Sequence, residues 1–556
     1  MATLIIYQGS EDLRLPRSDH STYLYRIGTG TISGRHCEDI NDSVSSDSSM
    51  ICLRDKYTQW IFSLNKQFLE ADLTRKGLSL FFLTDLSNKR PEIFDTFNTL
   101  VNIDVIRKKL KGIVIDSVML IGVDTSFAGA IASVFPNASY SRVKSRQKRI
   151  VFWRRILADI KYFVEAATVI AINAMTSKPK EVAPEFSDKK KYYFSIYPQT
   201  FKKDNTDLRF GDLVTSGDKF LVSIIADGMH QQISPIRYWQ LVKTLPSGKF
   251  CVVDQGMRLT DIAQSVYWFI RLHVFLLRQQ STKYVFGGVD LSGYIKEEML
   301  HSISRVTRLI IFSNSLSRSI GRLEISELIY IVFEFPLGRA ISYVLGKEFP
   351  SIIRTGFNHA DYSWRFLNYF MAEGEAGIRP PYIERCPIPD RIMAEDTLSA
   401  EIYRHNGYKN VSVMSQVHRL SYLEGIASRK ESNISLIAPG LHDGGELIKA
   451  LHQLIVNNPK QTFILKAHPR GGRDYIDKLP LLGNLELSEE PIEALLTRVG
   501  RVYVSYSSVG LEAHRLGIPV SLVLIPGKIC WSKLLDFQAK KGVSIYSGFV
   551  TQSQGC

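Results

Sequence analysis

Thr462-Phe463-Ile464-Leu465-Lys466-Ala467-His468-Pro469-Arg470-Gly471-Gly472, followed further on by Arg501-Val502-Tyr503-Val504-Ser505-Tyr506-Ser507-Ser508-Val509-Gly510, decides how this chain is read. Each stretch starts as a short apolar run and breaks off in small, polar or basic residues. That is the pattern of a buried parallel strand delivering a functional loop at its C-terminal end. Lys466, His468 and Arg470 are charged or chargeable donors, and Ser505, Ser507 and Ser508 are neutral ones. Val509 opens a helical pattern whose N-terminus favours an anion. Together these residues suit a phosphate. Taken singly, His468 and Pro469 also describe an ordinary turn, and Ser507 or Ser508 an ordinary helix cap, so the structural alternatives stay open. Glu512 lies one residue beyond capping-box spacing from Ser508.

The surrounding sequence repeats the pattern. Ala438-Pro439-Gly440-Leu441-His442-Asp443-Gly444-Gly445-Glu446 is another strand end with a glycine-bearing turn before a helix, so Gly440 and His442 join the nucleotide or phosphate side. Strand patterns over 434–438, 462–466, 501–505 and 520–524 alternate with helical patterns over 446–456, 492–498 and 509–516, which implies parallel strands and right-handed crossovers. GxGxxG, the Walker pattern and GxSxG are all absent, so NAD, P-loop and serine-hydrolase chemistry have no support.

Upstream, a second α/β unit runs from a strand at 192–197 through helices at 235–244 and 259–278, with later apolar runs at 329–334 and 351–355. Polar residues at the ends of such runs offer Glu334, His359 and Asp361 as groups to deprotonate an acceptor hydroxyl or orient a substrate, with Asp227 a further acid in a turn. A buried, satisfied role is equally open for each. Residues 1–140 read as a small α/β region with strands at 4–7, 78–83 and 114–123, a helix at 93–110 and a Ser/Asp-rich surface loop at 39–49. The expected division is 1–140, a basic amphipathic helix and linker at 141–190, a Rossmann-like domain at 191–378 and a second Rossmann-like domain at 379–556, which carries the phosphate-suited strand ends. Two such units in tandem leave a cleft between their strand ends, a common ligand site.

A length of 556 residues implies several domains, and 45% apolar with 22% charged residues is globular composition. The net charge of +14 calls for a polyanionic neighbour: nucleic acid, an anionic membrane surface or phosphorylated substrates. Basic residues concentrate in Arg142 to Arg155 without an RRM, KH or zinc-finger signature, so nucleic acid is not expected. Apolar residues at helical spacing follow that cluster, from Trp153 to Ala167. They describe either an interfacial helix over 142–175 lying on anionic lipid or a linker helix packed on the protein. The six cysteines are scattered without metal spacing, no basic n-region opens the chain, and the most apolar run, 266–277, is short and carries Arg271 and His273. A cytoplasmic protein, peripheral on the inner membrane, with no metal or cofactor, is the expectation.

A strand-end His468-Pro469 paired with Ser507-Ser508 resembles the bacterial GT-B glycosyltransferases that use CMP-activated nonulosonic acids, the sialyl-, Kdo- and pseudaminic-acid types. Over about 190–540 the chain also resembles surface carbohydrate biosynthesis proteins of capsule and O-antigen loci. The residues that carry this are Tyr193-Phe194-Ser195-Ile196-Tyr197-Pro198, the Glu334 segment, Gly356 to Asp361, Pro387-Ile388-Pro389-Asp390-Arg391-Ile392, Lys466-Ala467-His468-Pro469 and Ile525-Pro526-Gly527-Lys528. The resemblance implies a GT-B-like α/β fold in which two Rossmann-type domains face a cleft, with an N-terminal α/β extension and a basic linker helix. It implies that His468, Ser507 and Ser508 hold the CMP phosphate. The acidic-acidic-Gly motif that carries the base in those enzymes has no clean copy, since Asp227-Gly228 follows Ala226. The expected function is transfer of a sugar from a CMP donor to a surface polysaccharide or its lipid-linked precursor. Alternatives are a CDP-glycerol-type phosphotransferase, which also pairs His-Pro with Tyr-Ser-Ser, and a non-catalytic glycan-assembly or polyanion-binding protein.

Overall fold

Runs such as Leu4-Ile5-Ile6 and Val520-Ser521-Leu522-Val523 carry too little polarity to face water, so strands built from them must be covered on both sides. In the computed structural model of the chain, residues 2–17, 20–34, 36–91, 93–143, 152–176, 190–202, 205–215, 217–226, 233–246, 248–332, 336–426, 433–469, 471–472, 474–478, 482–537 and 542–546 are described. They build three large sheets, parallel throughout.

The first sheet has the spatial order Glu38–Asp39, Ser21–Ile27, Ala2–Gln8, Ser117–Ile121, Ser139–Val143, which is 3-2-1-4-5 in chain order. The second runs Phe250–Val252, Lys219–Ser223, Lys191–Ile196, Glu327–Ile331, Ile353–Phe357, Arg391–Ala394, Val411–Val413, or 3-2-1-4-5-6-7. The third runs Leu485–Leu487, Thr462–Leu465, Ile434–Ile437, Arg501–Val504, Val520–Val523, Val543–Tyr546, or 3-2-1-4-5-6. This is the doubly wound order, so the expected α/β class with two Rossmann-type units is the fold, and the N-terminal region adds a third sheet of the same winding. In the third sheet Ile437 pairs with both Leu465 and Tyr503, which brings the central strand ends flush at one edge.

The N-terminal region is not a free-standing extension. One apolar core runs from Leu4 and Ile6 through Phe81, Phe97 and Ile131 to Phe194, Leu328 and Tyr382, so the first two sheets form one body. The helix Ser292–Ile320 joins them. It buries Ile303, Val306, Ile310 and Phe312, takes the Asp85 amide on Ser302 Oγ at 3.1 Å, and receives on the Thr307 carbonyl the Ser265 hydroxyl at 2.7 Å. Its buried face mixes these apolar residues with hydroxyls such as Ser302, Thr307 and Ser315, so it packs between neighbours on more than one side. The third sheet keeps its own cores around Leu436, Val502 and Leu522 on one face and Leu447, Leu451 and Phe463 on the other.

Three details depart from the sequence expectation. The run at 78–83 is a two-residue strand, Leu78–Ser79, followed by a 3-10 turn Leu80–Leu83 that starts on Ser79 Oγ; an unbroken apolar run fits a buried helix turn as well as a strand. The segment 39–49 is not all loop, because a helix begins at Ser43. The middle sheet also includes Arg391–Ala394 and Val411–Val413, so it extends past 378. The expected boundary at 378/379 falls inside packed structure: Tyr382 is wholly buried and exchanges backbone hydrogen bonds with Gly77 (2.8 Å) and Ser79 (3.0 Å). Among the described residues no helix is long and apolar enough to cross a membrane.

Candidate functional site

The strand order places a crevice in the third sheet between Ile434–Ile437 and Arg501–Val504, where the winding reverses. The loop 438–443 leaves on one side of it, the loop 505–508 on the other, and the loop 466–472 follows the neighbouring strand. They touch. The Tyr506 hydroxyl accepts the His442 amide at 3.1 Å. The Gly471 amide donates to the His468 carbonyl at 3.0 Å, and a Cβ on Gly471 would sit 3.1 Å from the Leu441 carbonyl oxygen. The structure therefore gathers Gly440, His442, Lys466, His468, Pro469, Ser505, Ser507 and Ser508 along one edge, with His442, Pro469 and Ser508 exposed and Lys466 and His468 half-buried. Among the described residues the Lys466 ammonium has no ion pair. Cations and hydroxyls at the ends of parallel strands are a setting for a phosphate.

Not every member of that group points to a ligand. Ser505 is buried and donates its hydroxyl to Asp443, so it holds two loops together instead of offering a free donor. Burial raises the Asp443 carboxyl above its ordinary range, and the Ser505 hydrogen bond opposes that. Gly440 is needed for packing, since a Cβ there would lie 2.4 Å from the Tyr506 ring. Ser508 occupies the cap position of the helix Val509–Arg515, but its hydroxyl makes no cap hydrogen bond and lies 3.4 Å from Glu512 Oε1. Arg470, Glu334 and Asp227 lie outside the described residues.

The middle sheet approaches this edge with the residues that follow its fifth and sixth strands. After Ile353–Phe357 come Asn358, His359 and Asp361; after Arg391–Ala394 come Glu395 and Asp396. Asp361 pairs with the Arg419 guanidinium, whose Nη2 also meets Glu395 Oε1 at 2.8 Å. Asn358 ties the two loops by accepting the Glu395 amide at 3.1 Å and donating to the Ala360 carbonyl at 2.7 Å. Glu395 is buried, its Oε2 has no hydrogen-bond partner among the described residues, and burial pushes its carboxyl up to about 7, against the pull of Arg419. Glu512, from the helix after Ser508, is raised by the same cause and feels Arg419 and Asp361. Asp361 is thus brought to the boundary, but as an ion-pair partner, and His359 is half-buried beside it. Sequence reading missed Glu395 and Arg419. The available signal for Glu395 was its place directly after an apolar run, the same cue that marked Lys466.

On its other flank the C-terminal unit meets the N-terminal sheet through Ile525-Pro526-Gly527-Lys528. Gly28 donates to the Pro526 carbonyl at 2.9 Å, and Asn98 donates to the Gly527 carbonyl at 3.0 Å while accepting the Ile529 amide at 3.1 Å. Gly527 has φ +66°, and a Cβ there would fall 2.6 Å from the Arg26 carbonyl oxygen, so only glycine fits without a shift.

No family model matches the chain, and no curated protein matches it. Solved structures do. UDP-GlcNAc 2-epimerase from Neisseria meningitidis bound to UDP-GlcNAc is 12% identical and aligns over 64% of this chain and 86% of its own, with a TM-score of 0.37. CalG4, the calicheamicin glycosyltransferase, is 12% identical over 65% and 86%, with a TM-score of 0.36. The glycosyltransferase SnogD from Streptomyces nogalater is 11% identical over 65% and 88%, with a TM-score of 0.34. The chain is similar to these in broad outline, and its fold is defined by the three sheet orders above.

Proposed function

We propose that the protein is a glycosyltransferase that moves a sugar, a nonulosonic acid, from a CMP donor to a surface polysaccharide or its lipid-linked precursor. The observation that carries this is the crevice of the third sheet, where Lys466, His468 and Ser508 stand on adjoining strand-end loops and, among the described residues, no ion pair claims the lysine. In the reaction the acceptor oxygen bonds to the anomeric carbon, the bond from that carbon to the phosphate oxygen breaks, and its electron pair leaves with CMP. Lys466, His468 and Arg470 neutralise the departing phosphate, with Ser507 and Ser508 as neutral donors, in the role a metal would otherwise fill. Activity is accordingly expected to survive chelation by EDTA.

The acceptor proton goes to a carboxylate of the middle unit. Asp361 and Glu395 share Arg419, but only Glu395 keeps a buried carboxylate oxygen, Oε2, with no hydrogen-bond partner among the described residues, so the base is assigned to Glu395, whose raised affinity for protons suits general-base work near neutral pH, or to Glu334, in sequence between the strand Glu327–Ile331 and the helix Leu337–Glu348. Asp227 and His359 are proposed to orient the acceptor. The protein works in the cytoplasm and is seated on the inner membrane through 142–175, where a lipid-linked acceptor would be found.

Calorimetric titration with CMP, CDP and UDP tests the site. CMP should bind, and His468→Ala should weaken it about 10- to 100-fold, the loss of one charge-assisted hydrogen bond. Failure of every cytidine nucleotide to bind would sink the proposal, and undiminished binding by the variant would sink the assigned site. CDP bound in preference to CMP, with turnover of CDP-glycerol, would establish the phosphotransferase in its place.

A further inference from the structure

Two neighbouring helices of the body, Phe152–Met175 and Leu259–Arg278, each bury one apolar face and expose a second. On the first, Tyr162, Ala166 and Val169 are buried, while Trp153 (71% exposed), Leu157 (62%), Ile160 and Val164 form an outward row at spacings of four, three and four residues. Met175, three turns on, continues it. Thr168, on the same row, turns its hydroxyl onto the Val164 carbonyl at 2.8 Å and so adds no unpaired polar group. On the second helix, Trp268, Leu272 and Phe275 are buried, while Leu259, Tyr267, Ile270 (57% exposed), Val274 and Leu277 (69%) form the outward row. Phe163 and Phe269 meet edge to face at 6.1 Å between the helices. At 1.5 Å per residue the rows are about 33 and about 27 Å long.

A core helix needs only one apolar face, so a second on each of two adjacent helices calls for a cover. The charges around the rows choose it. Of the three acids on these helices, Asp159 and Asp261 are buried in ion pairs with Arg308 and Arg318, and Glu165 is paired to Lys161 at 3.6 Å. Arg154 and Arg278 are exposed at the margins, and Arg142 precedes the first helix. A basic rim repels a second copy of the same surface and attracts anionic headgroups. Exposed Trp153 and Tyr267 are side chains suited to the boundary between headgroups and acyl chains.

We infer that the two rows form one docking face for an anionic lipid bilayer, with the helix Leu259–Arg278 an equal partner of Phe152–Met175. This extends the membrane seat proposed for 142–175 and rests on it; the nucleotide site plays no part. Co-sedimentation with phosphatidylcholine–phosphatidylglycerol vesicles tests it in the full chain, using Leu157→Asp/Ile160→Asp on the first helix and Ile270→Asp/Leu277→Asp on the second. Wild type should bind these vesicles and leave pure phosphatidylcholine largely unbound. Each double variant should bind at least about tenfold more weakly while keeping the wild-type circular dichroism spectrum. Release by the first variant alone would overturn the two-helix face and leave the seat at 142–175 standing. Release by neither would overturn both. A wild-type dimer in analytical ultracentrifugation that Ile270→Asp/Leu277→Asp dissociates, together with no vesicle binding, would assign the face to a second copy and overturn the lipid inference.

Discussion

The C-terminal unit is held to the body along two seams made of opposite materials. The seam with the N-terminal sheet is tight and built mainly on the backbone: the Gly28 amide on the Pro526 carbonyl, the Asn98 side chain bridging Gly527 and Ile529, and a glycine contact too close for a Cβ, with the exposed ion pair of Lys449 and Asp12 (3.2 Å) beside them. The seam with the middle sheet is ionic, with its cations buried or nearly so: Arg419 between Asp361 and Glu395, Lys533 reaching Asp396 and Ser399, and Arg365 between Asp47 and Asp536. Backbone hydrogen bonds have one geometry and do not titrate. A seam of ion pairs depends on charge state and on every partner being present, so the edge facing His468 and Ser508 is the more responsive to conditions.

The largest effect is expected where the ionic seam loses its cation. Arg419→Met leaves Asp361 and Glu395 without their shared partner, and the cost of stranding buried charge is about 3–5 kcal/mol. Urea denaturation should show the C-terminal unit melting ahead of the body, as a separate early transition. A single transition shifted by less than 1 kcal/mol (about a fivefold change in the folded ratio) would mean that the ion pairs do not hold this seam. The backbone seam should break in a different way. Gly527→Val forces a β-branched residue to φ +66° and a Cβ to within 2.6 Å of the Arg26 carbonyl oxygen, so destabilisation of about 2 kcal/mol or more is expected, equal at pH 5 and pH 8. A loss that grows with pH would contradict the backbone character of the contacts that Gly527 makes.

The two seams also show what the sequence could express. Alternating apolar runs and helical patterns carried the α/β fold and the strands that build the C-terminal crevice, because burial on both faces of a parallel sheet writes itself into composition. The strand-end placement of Lys466, His468 and Ser508 was legible because charge and hydroxyls stand out directly after such runs. Ser505 looked the same, yet the structure assigns it to Asp443, 62 residues away in sequence. Glu395 and Arg419 were hidden for a related reason: a lone acid and a lone arginine acquire meaning only when the sheet order brings their loops together. The one-body construction of the first two sheets was equally unreadable, since a shared core leaves no mark distinguishing it from two separate ones.

The smallest effect, and the sharpest for the comparison, is the pH response of Glu395. Burial raises its carboxyl from an ordinary 4.5 to about 7, so between these values the folded chain holds a proton that the unfolded chain has released. Stability from this group is complete below about pH 4.5 and falls as pH rises through 7, by up to roughly 3 kcal/mol. Asp443 and Glu512 are raised as well and add slopes of the same sign, which makes the difference between wild type and Glu395→Gln the quantity to measure. Glutamine cannot ionise, so the variant should gain on wild type as pH goes from 5 to 8, in urea midpoints read at constant ionic strength. Parallel pH curves for the two proteins would show that Glu395 stays charged beside Arg419, and would leave Glu334 as the remaining acid proposed for the base.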